Sequence, residues 1–264
     1  MTSPRIVATD LDGTLLNSLG SVSTRTRQAL RLASDAGAQI VFLTARPPRS
    51  VVPIAEQAGV TGTMICSNGA IVYDLATHRL TASYALDPAT IRKLTAALAE
   101  AVPGVAFAAE TGRRVLVEGG YTWPDVHDAA FIQEVPDICD EDQPFVKLLA
   151  VSTEHTADDM LAMALPVVEG HAEITHTGVH GLVEISAPGV TKAGTFALLC
   201  QELGVDPAEV VAFGDMPNDL AVLTFAGTGY AMANAHQLVL AAIERRTLSN
   251  DEDGVAVVLE RLFS

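Results

Sequence analysis

Residues 6–16, IVATDLDGTLL, decide the fold. A short apolar run leads into Asp10 and Asp12, two positions apart, with Gly13 and Thr14 directly behind. An apolar run this short predicts a strand buried on both faces, as in the middle of a parallel sheet. Its carboxyl end then carries two acids beside a glycine turn. Two carboxylates about 4 Å apart repel by roughly 4 kcal/mol at an effective dielectric of 20. A fold keeps such a pair if a cation lies between them, or if one acid holds its proton. The plain alternative is an Asp-Gly turn after an ordinary strand.

Outward from this strand the pattern repeats. Residues 21–36 read as a helix with Ser23 as N-cap and Gly37 past its end. Residues 39–43 form an apolar strand that runs into Thr44, Ala45 and Arg46. A helix over residues 49–58 stops at Gly59, and a strand over 63–66 ends in Ser67, Asn68 and Gly69. Strands that alternate with helices and end in small polar groups predict an α/β fold. Its sheet is parallel and doubly wound, and its ligands bind outside the carboxyl ends of the strands.

The same pattern returns after Pro188. Thr191 caps a helix whose apolar face is Phe196, Leu199, Cys200 and Leu203. A strand over 210–213 ends in Gly214 and Asp215, a helix follows over 217–225, and a strand over 230–233 ends in Asn234. Two helices close the chain, over 237–245 and 255–263. The acidic run at 250–254 between them, NDEDG, reads as a solvated loop. Residues 83–186 differ: a helix opened by Asp87-Pro88, short strands, and a hairpin over 172–177 and 182–186. The sequence therefore predicts two domains. Residues 1–82 with 187–264 form the α/β core, and 83–186 form an inserted α+β cap.

Bulk composition narrows the partners. Of 264 residues, 49% are apolar and 18% charged, enough to bury a substantial core, and the net charge is −16. That balance argues against nucleic acid and anionic membrane as partners, since both need a basic footprint. A phosphorylated metabolite needs only a local positive site. Cys66, Cys139 and Cys200 make neither a metal spacing nor a disulfide framework. With no signal peptide ahead of Ile6 and no apolar run of 18 residues, a cytoplasmic protein without a membrane span is expected.

If the sheet forms, Asp10, Asp12, Thr44, Asn68, Asp215 and Asn234 converge on one rim, with Asp219 on the first turn of the next helix. Among 16 basic residues only Lys93, Lys147 and Lys192 are lysines. Lys192 sits on the first turn of its helix, where the macrodipole disfavours a cation by about 0.3–1 kcal/mol. Alone it reads as a surface lysine. Beside several acids it is the natural counter-charge.

The residues DLDGT at 10–14, Thr44, Lys192 and GDMPND at 214–219 resemble, in order and context, the haloacid dehalogenase superfamily. The long insertion, SNGA at 67–70 and NDEDGVA at 250–256 are similar to its Cof-type phosphatases, a resemblance that also lets Asn250 or Asp251 face the site. Ala45 and Ala193 stand where such sequences often carry glycine, which removes no reacting group. The resemblance implies a Mg²⁺-dependent phosphatase acting on a small phosphorylated metabolite, a sugar phosphate or similar monoester. It makes Asp10 the nucleophile that forms an aspartyl-phosphate and Asp12 the general acid, then base. Thr44 and Lys192 would hold phosphoryl oxygens. Mg²⁺ would lie on Asp10, the backbone carbonyl of Asp12, and Asp215. Asn218 and Asp219 would orient Lys192 and the metal's waters, backbone N–H groups around Gly13 would line the phosphate site, and the cap would act as a lid. Asn68 joins the substrate side. Arg46 faces either substrate or a core carboxylate. A phosphosugar mutase on the same core, or a non-catalytic phosphometabolite sensor, are the competing functions.

Other signals are weaker. His171, His176 and His180 resemble a metal cluster, but on a hairpin their spacing sends them to opposite faces, as ordinary residues. Tyr121 and Trp123 read as a satellite core before a substrate contact.

Overall fold

The computed structural model describes residues 4–121 and 130–264. The chain divides into two compact units, one formed by the residues up to Ala82 with Lys192–Ser264, the other by Ser83–Thr191. The first begins with β1 (Ile6–Thr9), α1 (Thr24–Asp35), β2 (Gln39–Leu43), α2 (Pro48–Ala58) and β3 (Thr63–Cys66). Ser23 starts α1 by accepting the Thr26 N–H at 3.0 Å. The parallel sheet expected from sequence then ends. β4 (Ile71–Asp74) runs antiparallel to β3, pairing Ile71 with Cys66 and Asp74 with Thr63, and β5 (Arg79–Ser83) extends this edge. The reversal is made by Ser67 and Asn68, consecutive non-glycine residues with φ of 51° and 56°.

The second unit carries α3 (Pro88–Ala101), β6 (Ala106–Glu110), β7 (Val115–Val117), β8 (Ile132–Glu134), β9 (Lys147–Val151), α4 (Ala157–Val168), β10 (Glu173–Thr175) and β11 (Leu182–Ser186). Its sheet order is β10-β11-β9-β6-β7-β8, antiparallel except at β7/β8. β8 has no counterpart in the sequence-based expectation. Lys147 and Glu184 form a buried ion pair at 2.8 Å. His176 is buried, with Nε2 3.1 Å from Asp158 and Nδ1 accepting the Gly178 N–H, while His171 lies against Lys93. Among the described residues the three histidines share no metal-sized cluster. Tyr121 is buried against Val117 and Leu149, and Trp123 lies outside the described residues.

The chain returns to the first unit through α5 (Lys192–Leu203), β12 (Val210–Gly214), α6 (Leu220–Phe225), β13 (Thr228–Ala231), α7 (Gln237–Ala242) and α8 (Gly254–Phe263). The sheet order is β13-β12-β1-β2-β3-β4-β5, with the five strands from β13 to β3 parallel. β1 is central and fully buried, which its unbroken apolar run requires. From β1 the chain first moves to β2 and β3 on one side, and later to β12 and β13 on the other. The order reverses between β1 and β12, the place where such sheets open a crevice at their carboxyl ends. Among the described residues no helix is long and apolar enough to cross a membrane.

Candidate active site

Register fixes the site. Thr9 lies beside Phe213, and the Asp10 N–H donates to the Phe213 carbonyl at 3.1 Å, so Asp10 and Asp215 leave adjacent strands together. Lys192, at the start of α5, donates to Asp10 Oδ1 at 2.7 Å and to Asp219 Oδ1 at 2.8 Å. Asp10, Lys192 and Asp219 are 6%, 2% and 2% exposed, so solvent screens this triad little. Asp219 Oδ2 accepts the N–H groups of Asp215 and Met216, each at 3.1 Å. The Thr14 hydroxyl donates to Asp215 Oδ1 at 2.9 Å.

One oxygen from each of Asp10, Asp215 and Asp219 lies within 4.8 Å of the others. One lysine among three acids leaves the centre net negative in a dry place. Burial, with repulsion from Asp219, pushes the Asp215 carboxyl up to about 7, although the Thr14 hydrogen bond opposes this. Burial likewise lifts Asp10 well above the ordinary carboxylate range against the pull of Lys192. Burial alone would lower Lys192, but the charges of Asp10 and Asp219 outweigh it and hold the ammonium protonated. Asp219 has donors on both oxygens. The second oxygens of Asp10 and Asp215 accept no hydrogen bond among the described residues. These two are the hard oxygen ligands with capacity to spare, and they fit a small divalent cation.

Glycine is required here for steric reasons. Gly13 has φ of 72°, and a Cβ at that position would collide with the Asp215 carboxylate. We expect Gly13→Ala to strain the backbone by about 1–2 kcal/mol and to displace Asp215. The expected readout is a divalent-cation affinity lower by roughly tenfold or more, measured by cation-dependent thermal stabilisation. Unchanged affinity would contradict the packing described.

A second string of residues lies along the ends of β2 and β3. Thr44 is buried, and its hydroxyl accepts the Arg46 N–H at 3.1 Å. The Ser67 N–H donates to the Arg46 carbonyl and the Asn68 N–H to the Thr44 carbonyl, both at 3.0 Å. Of the two partners expected for Arg46, the structure shows the carboxylate. Its Nε and Nη2 donate to the two oxygens of Asp12 at 2.7 Å each. Asn218 donates to Asn68 Oδ1 at 3.2 Å. The left-handed Ser67 and Asn68 hold strain of about 1–3 kcal/mol each, the kind that collects at functional sites.

One contribution escaped the sequence and a second was only hinted at there. Thr14 aims Asp215. The acidic run, read most simply as a solvated loop, is bonded to the turn behind Asp10 and to the segment that follows it. Asn250 Nδ2 donates to the Leu16 carbonyl at 2.8 Å, Asp251 accepts the Ser18 N–H at 2.8 Å, and Asp253 accepts the Ser23 hydroxyl at 2.6 Å. Asn234 Nδ2 donates to the Gly13 carbonyl at 2.8 Å.

Two solved structures described as haloacid dehalogenase-like hydrolases are similar over 98% of this chain. One, from Bacteroides thetaiotaomicron, is 28% identical with a TM-score of 0.80 and 99% of that chain covered. The other, from Bacillus subtilis, is 25% identical with a TM-score of 0.83 and 99% covered. A 5-amino-6-(5-phospho-D-ribitylamino)uracil phosphatase of Bacillus subtilis is 29% identical over 100% of this chain and 99% of its own length. The family description of haloacid dehalogenase-like hydrolases matches residues 7–259, and the chain belongs to that family. Membership is what the motifs at 10–14, 44, 192 and 214–219 had led us to expect.

Proposed function

We propose that the chain is a Mg²⁺-dependent phosphatase that hydrolyses a small phosphorylated metabolite, a sugar phosphate or similar monoester. The observation that carries this is the buried Asp10–Lys192–Asp219 triad beside Asp215 at the reversal point of the sheet. Family membership supports it, as do full-length relatives named as phosphatases, one of them for a 5-phospho-ribityl monoester.

In this reading an Asp10 oxygen attacks phosphorus and the bond to the leaving oxygen breaks. Asp12 gives that oxygen its proton. The aspartyl-phosphate is then opened by water, whose proton returns to Asp12, and inorganic phosphate leaves. Arg46 takes one lone pair on each Asp12 oxygen and so orients the carboxyl, leaving the other lone pairs for the proton. Lys192 and Thr44 hold phosphoryl oxygens, and the N–H groups around Gly13 face the phosphate. Lys192 is kept charged and aimed by Asp219. Asn68 and Asn218 line the substrate side. Asp10, the Asp12 carbonyl and Asp215 would hold Mg²⁺, which when bound neutralises charge between carboxylates and phosphoryl oxygens.

The test is phosphate release from a panel of phosphorylated metabolites with Mg²⁺ and with chelator. Cation-dependent release is expected, and no release from any monoester would overturn the proposal. A pH signature accompanies it. The folded Asp215 value of about 7 lies above its ordinary 3.8. The neutral acid therefore stabilises the metal-free fold, and that contribution is lost as pH rises from about 4 through 7. The cation must displace this proton below pH 7 but not above. Half-saturation by Mg²⁺, read from thermal shifts, is expected at a roughly tenfold higher concentration at pH 6 than at pH 8.

A further inference from the structure

Two carbonyls of the turn behind Asp10 are tied to side chains from the far end of the chain. Asn234, just past β13, holds the Gly13 carbonyl at 2.8 Å. Its Oδ1 accepts the Asn250 N–H at 3.0 Å, and Asn250 Nδ2 reaches back to the Leu16 carbonyl at 2.8 Å. Asn234 is exposed and Asn250 half-buried. Exposed amides gain little stability from such bonds, because water satisfies them nearly as well. What the pair fixes is orientation. Gly13 is the residue of the turn with the widest backbone freedom. Its neighbour Thr14 aims Asp215, and Gly13 itself packs against that carboxylate. Asn234 thus pins the Gly13–Thr14 peptide, which lies between Asp10 and the hydroxyl that positions Asp215.

We infer that Asn234 and Asn250 form a positioning relay that sets the place of Asp215 through Gly13 and Thr14, and with it the cation affinity of the acidic centre. The inference rests on Asp10 and Asp215 being cation ligands, as proposed above. Neither asparagine touches the reacting atoms. Asp251 supplies the contrast: it lies in the same segment, but its bonds go to Ser18, beyond the turn.

The experiment is a Mg²⁺ titration of melting temperature on the full chain, comparing the parent with Asn234→Ala, Asn250→Ala and Asp251→Ala. The kcat and KM for p-nitrophenyl phosphate are measured at each Mg²⁺ level. Asn234→Ala is expected to raise the Mg²⁺ midpoint about tenfold and to regain most of its kcat at saturating Mg²⁺. Asn250→Ala raises it less, since the backbone N–H to Asn234 remains. Asp251→Ala leaves the midpoint where it was, whatever it does to the metal-free melting temperature. Equal midpoints for the parent and Asn234→Ala would overturn the relay alone, as would an equal displacement by Asp251→Ala. A parent whose melting temperature ignores Mg²⁺ would overturn the cation centre, and the relay with it.

Discussion

Asp10→Asn is expected to lower hydrolysis of p-nitrophenyl phosphate by about 10⁴-fold or more, with the chain still folded. The amide keeps the shape of the carboxylate and can still accept from Lys192, but it cannot form the acyl-phosphate bond. The stability outcome is equally specific. Burial, together with the charges of Asp219, Asp215 and Asp12, makes an ionised Asp10 less favourable in the folded chain than in the unfolded one, despite the pull of Lys192. A permanently neutral isostere therefore costs the metal-free fold nothing, and the variant should melt at or above the parent's temperature. Turnover retained by the variant would remove Asp10 from the chemistry. A melting temperature several degrees lower would show that Lys192 attracts Asp10 more strongly than burial and its neighbours disfavour the charge.

Lys192→Met is expected to cost about 3–5 kcal/mol, because it strands two buried carboxylates whose shared partner is gone. For a chain of this size that corresponds to a fall of about 10 °C or more in melting temperature. The penalty belongs to the ionised acids, so it should be largest near pH 8 and shrink near pH 5, where the raised Asp10 can take up a proton. Adding Asp10→Asn to Lys192→Met should recover part of the loss, since the two groups are in contact and their effects do not add. Thermal denaturation of the single and double variants without metal, at both pH values, measures all three. A Lys192→Met variant as stable as its parent would mean that the triad is far better solvated than its burial indicates.

The core was legible because β1, β2, β3 and β12 are short apolar runs with polar groups at their carboxyl ends, separated by capped helices. β4 and β5 were not. Ile71–Asp74 is as short as β1 and β3 but has only Ile71 buried, and the exposed residues of Arg79–Ser83 present no apolar face. The acids and Lys192 could be found because their order along the chain, and the electrostatics of paired carboxylates, are properties of sequence. The partner of Arg46 was left open, since it depends on which way two loops face. The contributions of Thr14 and Asp253 were invisible for a related reason, and for Asn250 and Asp251 the resemblance hinted at a place near the site but not at their partners. Ser18 and Asp251, for instance, are 233 positions apart, and no local pattern encodes such a pairing.

The place of β1 in the sheet has a consequence for biosynthesis. One of its hydrogen-bonded neighbours, β2, follows at once, but the other, β12, comes only after the whole insert. Thr14 and Asp215 are 201 positions apart. At about 5–20 residues per second, a ribosome takes roughly 10–40 s to cover that distance. Throughout this interval a strand that is fully buried in the finished fold has one unpaired edge, a template for wrong partners. The length of the insert thus sets a waiting time for the central strand, and refolding of the finished polypeptide, with both halves present from the start, escapes it.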